Sequence, residues 1–122
     1  MLASGAGMDA SVALTELVGF STQVIEAVIS GPDGDIEAAR TAGDERSRAL
    51  AAHGAELLAA AAAIRAEGPP VERVHVDLDR GSLAVASDGV RTVVATTVAE
   101  PTVGLLAYDL RAVLARLRSD TP

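Results

Sequence analysis

The chain has 122 residues, enough for one domain whose core needs no covalent or metal staple. Its 17 acidic and 10 basic residues leave a net charge of −7, and the absence of cysteine excludes a disulfide framework, a thiolate metal site and a thiol nucleophile. An acidic chain with two aromatic residues and no lysine is a poor nucleic-acid binder, and no window approaches the roughly 18 apolar residues that membrane insertion needs.

The first segment, residues 1–8, consists mostly of small residues and is expected to be flexible. It lacks the basic start and the apolar run of a signal peptide, so we expect a cytoplasmic protein. Asp9 is a plausible N-cap, and the apolar residues that follow it have helical spacing. This pattern predicts a first helix over about 10–21.

A β-hairpin is predicted next. Val24–Ser30 is β-branched and apolar, as expected of a strand. Gly31-Pro32-Asp33-Gly34 is a strong turn sequence, and residues 36–41 can return as the second strand.

The longest predicted helix begins with Asp44 as its cap. Its apolar stripe consists of Leu50, Gly54, Leu57, Leu58, Ala61 and Ile64. Largely off that stripe lie Ala49, Ala52, Ala55, Ala59, Ala62 and Ala66. A helix that is apolar nearly all round is normally buried on more than one side. The high helix propensity of alanine also explains such a composition without burial. Gly68-Pro69-Pro70 ends the helix.

Beyond residue 70 the apolar period changes from 3.6 to 2. Alternation over 72–79, the run 82–87 and the run 90–98 predict a three-stranded antiparallel meander. Asp88-Gly89 is a favoured hairpin dipeptide between the last two strands.

The final predicted helix starts at Glu100-Pro101. Its apolar stripe consists of Val103, Leu106, Leu110, Val113, Leu114 and Leu117.

Three segments carry a resemblance to a known family: the junction from Val98 to Leu110 with its Glu-Pro pair and Ala-Tyr-Asp run, the strand and turn from Gly68 to Gly81, and the turn from Val28 to Gly34. With the order helix, two strands, helix, three strands, helix, they resemble the roadblock/dynein light chain superfamily, particularly its bacterial members. The resemblance implies an α/β (α+β) domain over 9–118 with a five-stranded antiparallel sheet and flexible ends at 1–8 and 119–122. Glu26 departs from the pattern, since small residues are usual there.

Members of that family form homodimers and bind small GTPases or motor and signalling complexes. The resemblance implies that third strands join at the sheet edge and that central helices lie side by side. The interface residues expected on that basis are Arg73, Val74, His75, Val76, Asp77, Ala52, Ala55, Ala59 and Ala62.

The strand over 72–79 allows a specific register. Pairing with its own copy about residue 75 places Arg73 opposite Asp77 and Val74 opposite Val76. Opposite charges directly across a sheet contribute roughly 0.2–1 kcal/mol per pair. The alternative is that these charges protect an edge from pairing.

No active site is predicted. His53 and His75 lack a second ligand at metal spacing, and Asp77-x-Asp79-x-Gly81 fits a hairpin turn better than a calcium loop. No phosphate-binding Gly-Lys-Ser/Thr exists, because the chain has no lysine. Three helix arginines, Arg46, Arg48 and Arg65, show no feature of an arginine finger. We therefore expect neither an enzyme nor a bound cofactor or metal.

The leading functional hypothesis is a homodimeric regulator or scaffold that binds a small Ras-like GTPase in bacterial signalling. A second hypothesis is a structural adaptor of a multiprotein signalling complex, with no effect on nucleotide turnover. A third is an enzyme or small-molecule sensor that uses the same sheet as a pocket.

Overall fold

The computed structural model describes residues 9–119. Its elements are, in chain order, α1 (Ala10–Phe20), β1 (Val24–Ser30), β2 (Ile36–Arg40), α2 (Asp44–Ile64), β3 (Arg73–Leu78), β4 (Gly81–Ser87), β5 (Thr92–Thr97) and α3 (Val103–Ser119). The predicted order of elements and the α+β class with five antiparallel strands are confirmed. The predicted flexible segment 1–8 lies outside the described residues, as does 120–122, whereas residue 119 is the last of α3.

Helix starts show what the sequence did and did not predict. Asp9 caps α1 as expected, because its Oδ1 accepts a hydrogen bond of 2.7 Å from the backbone N–H of Ser11. Asp44 does not cap α2; Gly43 occupies the cap position and Asp44 is the first helical residue. At that position the negative charges of Asp44 and Glu45 interact favourably with the positive end of the helix dipole and stabilise the helix.

The last helix begins later than predicted. Glu100 adopts a left-handed conformation with φ of 51°, so the helix cannot start at the Glu100-Pro101 pair. The first turn is instead closed by the backbone N–H of Leu106 donating to the carbonyl of Thr102 at 3.0 Å. Val103, predicted on the buried stripe, is 46% exposed because it lies in the first turn of the helix, while the other five stripe residues are buried.

The sheet has the strand order β2-β1-β5-β4-β3, with every neighbouring pair antiparallel. Its centre is β5, where Val94 pairs with Val28 on one side and Val85 on the other. The two edges are β2 and β3. The meander predicted from the second half of the chain therefore forms one side of the sheet.

Two layers of helix enclose the sheet. On one face, α1 and α3 cover a core that includes Ile29 and Val93 of the sheet and Leu14 and Leu110 of the helices. On the other face, α2 covers a smaller cluster around Val94. Because side chains alternate along a strand, successive residues of β1 and β5 contribute to opposite cores.

The turn from β3 to β4 is tightly constrained. Gly81 has φ of 102°, and a Cβ there would overlap the carbonyl oxygen of Thr97 on β5. Beside it, Ser82 donates its backbone N–H to Thr97 Oγ1 at 3.1 Å, and the two hydroxyls lie 2.7 Å apart. Both side chains are buried, so this polar pair ties the start of β4 to the end of β5.

Candidate functional site

The β3 edge, Arg73–Leu78, is the open side of the sheet at the C-terminal half of the molecule. Within residues 9–119 its only strand neighbour is β4. Along its other side the backbone N–H and C=O groups have no strand to pair with, which makes it a template for a further strand. The predicted strand residues therefore lie where pairing with another chain is geometrically possible.

The two faces of the β3 edge differ in chemistry. Val74 pairs with Val85 and Val76 with Leu83, which puts these half-buried valines on the α2 face. The exposed residues Arg73 and Asp77, with the half-buried His75 between them, point to the face of α1 and α3. His75 Nε2 lies 3.2 Å from Asp77 Oδ1, so Asp77 already has a partner within its own strand.

The alanine flank consists of Ala52, Ala55, Ala59 and Ala62. These residues are spaced three or four apart along α2, so they share one side of the helix. All four are exposed, while Gly54 faces the sheet so closely that a Cβ there would overlap Cγ2 of Val94. Within the single chain α2 is therefore covered on one side, not on the two sides that its composition suggested.

The end of α2 exposes a large apolar side chain. Ile64 was predicted on the buried stripe but is 82% exposed. Ile64 is the last of the 21 residues of α2, a helix about 31 Å long. Although α2 contacts all five strands, its last residue is mostly exposed, and Leu78 at the end of β3 is also 55% exposed.

An ion pair fixes the other end of α2 to the sheet. Glu26 of β1 accepts from Nε and Nη2 of Arg46 at 3.1 and 2.9 Å and from the hydroxyl of Thr96 at 3.1 Å. The Arg46 hydrogen bond lowers the pKa of the Glu26 carboxyl, against the opposing effect of its burial, and Glu26 in turn raises the pKa of Arg46. The unusual residue Glu26 thus orients the helix that carries the alanine flank.

The candidate catalytic and metal residues do not come together. His53 contacts Glu56 on the same helix at 3.0 Å, far along the chain from the His75–Asp77 pair. In the described part of the chain no group of three or more His, Cys, Asp or Glu side chains could hold a metal ion. Asp79 lies in the tight turn between Leu78 and Gly81, which pair with each other. No helix within residues 9–119 is long and apolar enough to cross a membrane.

Comparison with known proteins reveals likeness at the level of structure. No protein-family model matches the sequence, and no curated protein matches it. A Roadblock/LC7 domain from Streptomyces avermitilis is 22% identical with a TM-score of 0.78, over 93% of this chain and 96% of that one. The gliding protein MglB from Thermus thermophilus is 16% identical with a TM-score of 0.78, over 98% and 93%. A structure described as MglB with tetrameric arrangement is 17% identical with a TM-score of 0.67, over 97% and 92%. At these identities the likeness concerns the fold.

Proposed function

The chain has the roadblock/LC7 fold, and on that premise we propose that it is a homodimeric, non-catalytic regulator or scaffold for a small Ras-like GTPase in the bacterial cytoplasm. The single observation that carries the proposal is the coincidence of an open sheet edge with an uncovered helix. The β3 edge and the alanine flank lie on neighbouring parts of one molecule, and α2 contacts β3 directly.

Self-association uses the β3 edge as its backbone contact. Two copies paired antiparallel about His75 form a continuous sheet and place Arg73 of each copy opposite Asp77 of the other. The internal His75–Asp77 contact of 3.2 Å competes with that ion pair, so its contribution is at the low end of roughly 0.2–1 kcal/mol. Charge pairing therefore selects the register and supplies little of the affinity.

Apolar burial supplies the affinity. Ile64 and Leu78 are exposed in the single chain, and Val74 and Val76 are half-buried at the rim of the α2 core. A second copy that covers these side chains gains about 25 cal/mol for each Å² of apolar surface removed from water. The small side chains of the alanine flank let the α2 helices of the two copies pack closely, because the distance between packed helices depends on the size of the side chains at their contact.

Sedimentation at micromolar concentration tests the dimer. We expect the mass of two chains for the wild type and of one chain for Ala59→Glu, whose carboxylate would be buried unpaired between the two α2 helices. Ala60→Glu is the matched control, since Ala60 is also exposed but lies about 100° away around the helix. A monomeric wild type contradicts the proposal, and a monomeric Ala60→Glu beside a dimeric Ala59→Glu moves the contact to the other side of α2.

The register has its own test. Arg73→Asp and Asp77→Arg should each weaken the dimer by putting like charges across the sheet, and the double variant should regain the wild-type mass. If the double variant is no better than the singles, pairing about His75 is wrong.

The GTPase partner is supported by kinship of fold alone. A pull-down from the source cell with the dimer as bait should retain a small Ras-like GTPase, and the dimer-breaking variant Ala59→Glu should retain less of it. Hydrolysis of GTP by that protein is then measured with and without the dimer. A changed rate supports a regulator, whereas retention with an unchanged rate supports the structural adaptor.

A further inference from the structure

A cleft lies at the end of the sheet where β3 begins. It has a volume of about 630 Å³ and is walled by the connection after α2, by the paired ends of β3 and β4, and by the last two turns of α3. Its floor is apolar and includes Val71, Ala86 and Leu114. Its rim is exposed, so the cleft is open along its length.

Four of the ten arginines of the chain line this cleft: Arg65, Arg73, Arg111 and Arg118. Among residues 9–119, two acidic residues, Glu72 and Asp88, line it with them, so these six side chains carry a formal charge of +2. The remaining 6 basic and 15 acidic residues of the chain carry −9, by subtraction from 10 and 17. The cleft is therefore a basic region in a strongly acidic protein.

Among residues 9–119, the four cleft arginines lack the ion pairs that three of the other six arginines form. Arg46, Arg91 and Arg116 each form an ion pair with a glutamate on a neighbouring element. Among residues 9–119, no carboxylate lies within 4.0 Å of any of the four cleft arginines.

One of the two carboxylates that line the cleft, that of Asp88, accepts hydrogen bonds from the backbone of a neighbouring turn. Oδ1 of Asp88 accepts hydrogen bonds from the backbone N–H groups of Val90 and Arg91, at 2.9 and 2.8 Å, and so serves the turn between β4 and β5. The guanidinium groups of the cleft are thus available to an external anion, and each can bind a carboxylate through two parallel hydrogen bonds.

The spacing of the arginines indicates what that anion is. Arg111 and Arg118 are seven residues apart on one side of α3, about 10 Å along its axis. Two anionic groups at a similar separation can each bind one of these guanidinium groups. In a peptide in the polyproline II conformation, which has three residues per turn, side chains three residues apart lie on the same side and are separated by about 9 Å. The apolar floor between the arginines suits the backbone and small side chains of such a segment.

We propose that this arginine cleft binds an acidic segment of a protein partner in the polyproline II conformation, with carboxylates three residues apart. The site goes beyond the function proposed above, since it requires neither a GTPase nor a second copy. Arg73 belongs to both the cleft and the β3 edge, so the proposal is tested on Arg111 and Arg118, which are separate from that edge.

The test uses a fluorescent peptide of about twelve residues with glutamate at every third position and serine, alanine and glycine between them. Its anisotropy is measured against increasing protein at about 50 mM salt and again at about 200 mM. We expect saturable binding that weakens as salt rises, and about tenfold weaker binding to the Arg111→Gln/Arg118→Gln double variant.

The matched control is Arg48→Gln/Arg80→Gln, which removes the same charge from two exposed arginines outside the cleft. This control should bind the peptide within about twofold of the wild type. Equal weakening by both double variants would mean attraction to net charge alone and would overturn the proposal. A wild type that shows no saturation at millimolar protein overturns it as well.

Two further measurements separate this site from its alternatives. Inorganic tripolyphosphate should displace the peptide only weakly; displacement at lower concentrations than an unlabelled copy of the peptide requires would assign the cleft to compact polyanions and overturn the proposal. Sedimentation of Arg111→Gln/Arg118→Gln should give the wild-type mass. Lost peptide binding with an unchanged mass supports the cleft, whatever the outcome for the dimer or the GTPase.

Discussion

The two faces of the sheet are covered very differently. Among residues 9–119, sixteen buried residues form the core beneath α1 and α3, against four beneath α2, so most of the stabilising apolar burial lies on one side. On that side leucines such as Leu14 and Leu110 fill the space between the layers. On the other face, Gly54 lets α2 lie close to Val94. The alanine flank of α2 is exposed. One face therefore holds the fold together, and the other keeps a helix and a strand available for contact.

The largest effect is expected from opening the thicker core. Leu110, 1% exposed, is deeply buried between α3 and the sheet. Leu110→Ala should lower the free energy of unfolding by about 3 kcal/mol, the sum of lost burial and the cavity left behind. Urea denaturation measures it. A loss under about 1 kcal/mol would mean that the α1 and α3 face does not dominate stability.

The next effect comes from the close approach on the thinner face. Alanine is a better helix former than glycine by up to about 1 kcal/mol, yet Gly54→Ala should destabilise the protein by about 1–2 kcal/mol because its Cβ meets Val94. Gly19→Ala is the control, since a Cβ on that residue of α1 has open space around it and should stabilise slightly. Thermal unfolding of both variants should give shifts of opposite sign, and shifts of the same sign would show that α2 can move away from the sheet.

A smaller effect is expected from the ion pair that orients α2. Glu26→Gln should cost about 1 kcal/mol at neutral pH, since Arg46 is half exposed and the pair is partly screened.

The pH dependence identifies the charge as the cause. Arg46 holds the pKa of Glu26 below its ordinary 4.5, so the contribution of this carboxylate is fully present above that pH. It is lost as the pH falls through the lowered pKa of the folded protein. The difference in stability between wild type and Glu26→Gln should therefore stay constant above about pH 5 and shrink below pH 4.5, measured by urea denaturation across this range. A difference that persists unchanged at about pH 3 would assign the effect to packing.

The smallest effect is expected on the alanine flank. At a concentration where sedimentation shows only single chains, Ala59→Glu should change the free energy of unfolding by less than about 0.5 kcal/mol, because the residue is exposed in the single chain. The same substitution is the one expected to abolish the dimer at micromolar concentration. A large loss in the single chains would place this side of α2 among the elements that hold the fold.

Local patterns predicted most of the fold because they report local physics. Val24–Ser30 was predicted with its observed bounds, since a β-branched run followed by Gly-Pro-Asp-Gly specifies both strand and end. The sequence also predicted that 72–79 would be a strand, and β3 occupies Arg73–Leu78.

The errors have a tertiary origin. Apolar periodicity identifies one side of a helix but not how far along the helix the core extends. Ile64 was therefore assigned to the core, although this last residue of α2 is exposed. Aspartate is a preferred N-cap residue, but the turn before α2 places Gly43 at the N-cap position and Asp44 at the first position of the helix. Glu26 looked like a departure until its partners on α2 and β5 were visible, and these lie 20 and 70 residues away in the chain. The arginine cleft likewise joins residues from three distant segments.

The buried hydroxyl pair of Ser82 and Thr97 has a consequence outside the core. Together with the cramped Gly81, it permits one alignment of β4 on β5, and the pairing of Leu78 with Gly81 passes that alignment on to β3. A slip of one residue would exchange Val74 and Val76 for the charged residues on the opposite face. Which side chains of β3 lie on each face beside a docked strand therefore depends on the contact between two hydroxyl oxygens in the interior.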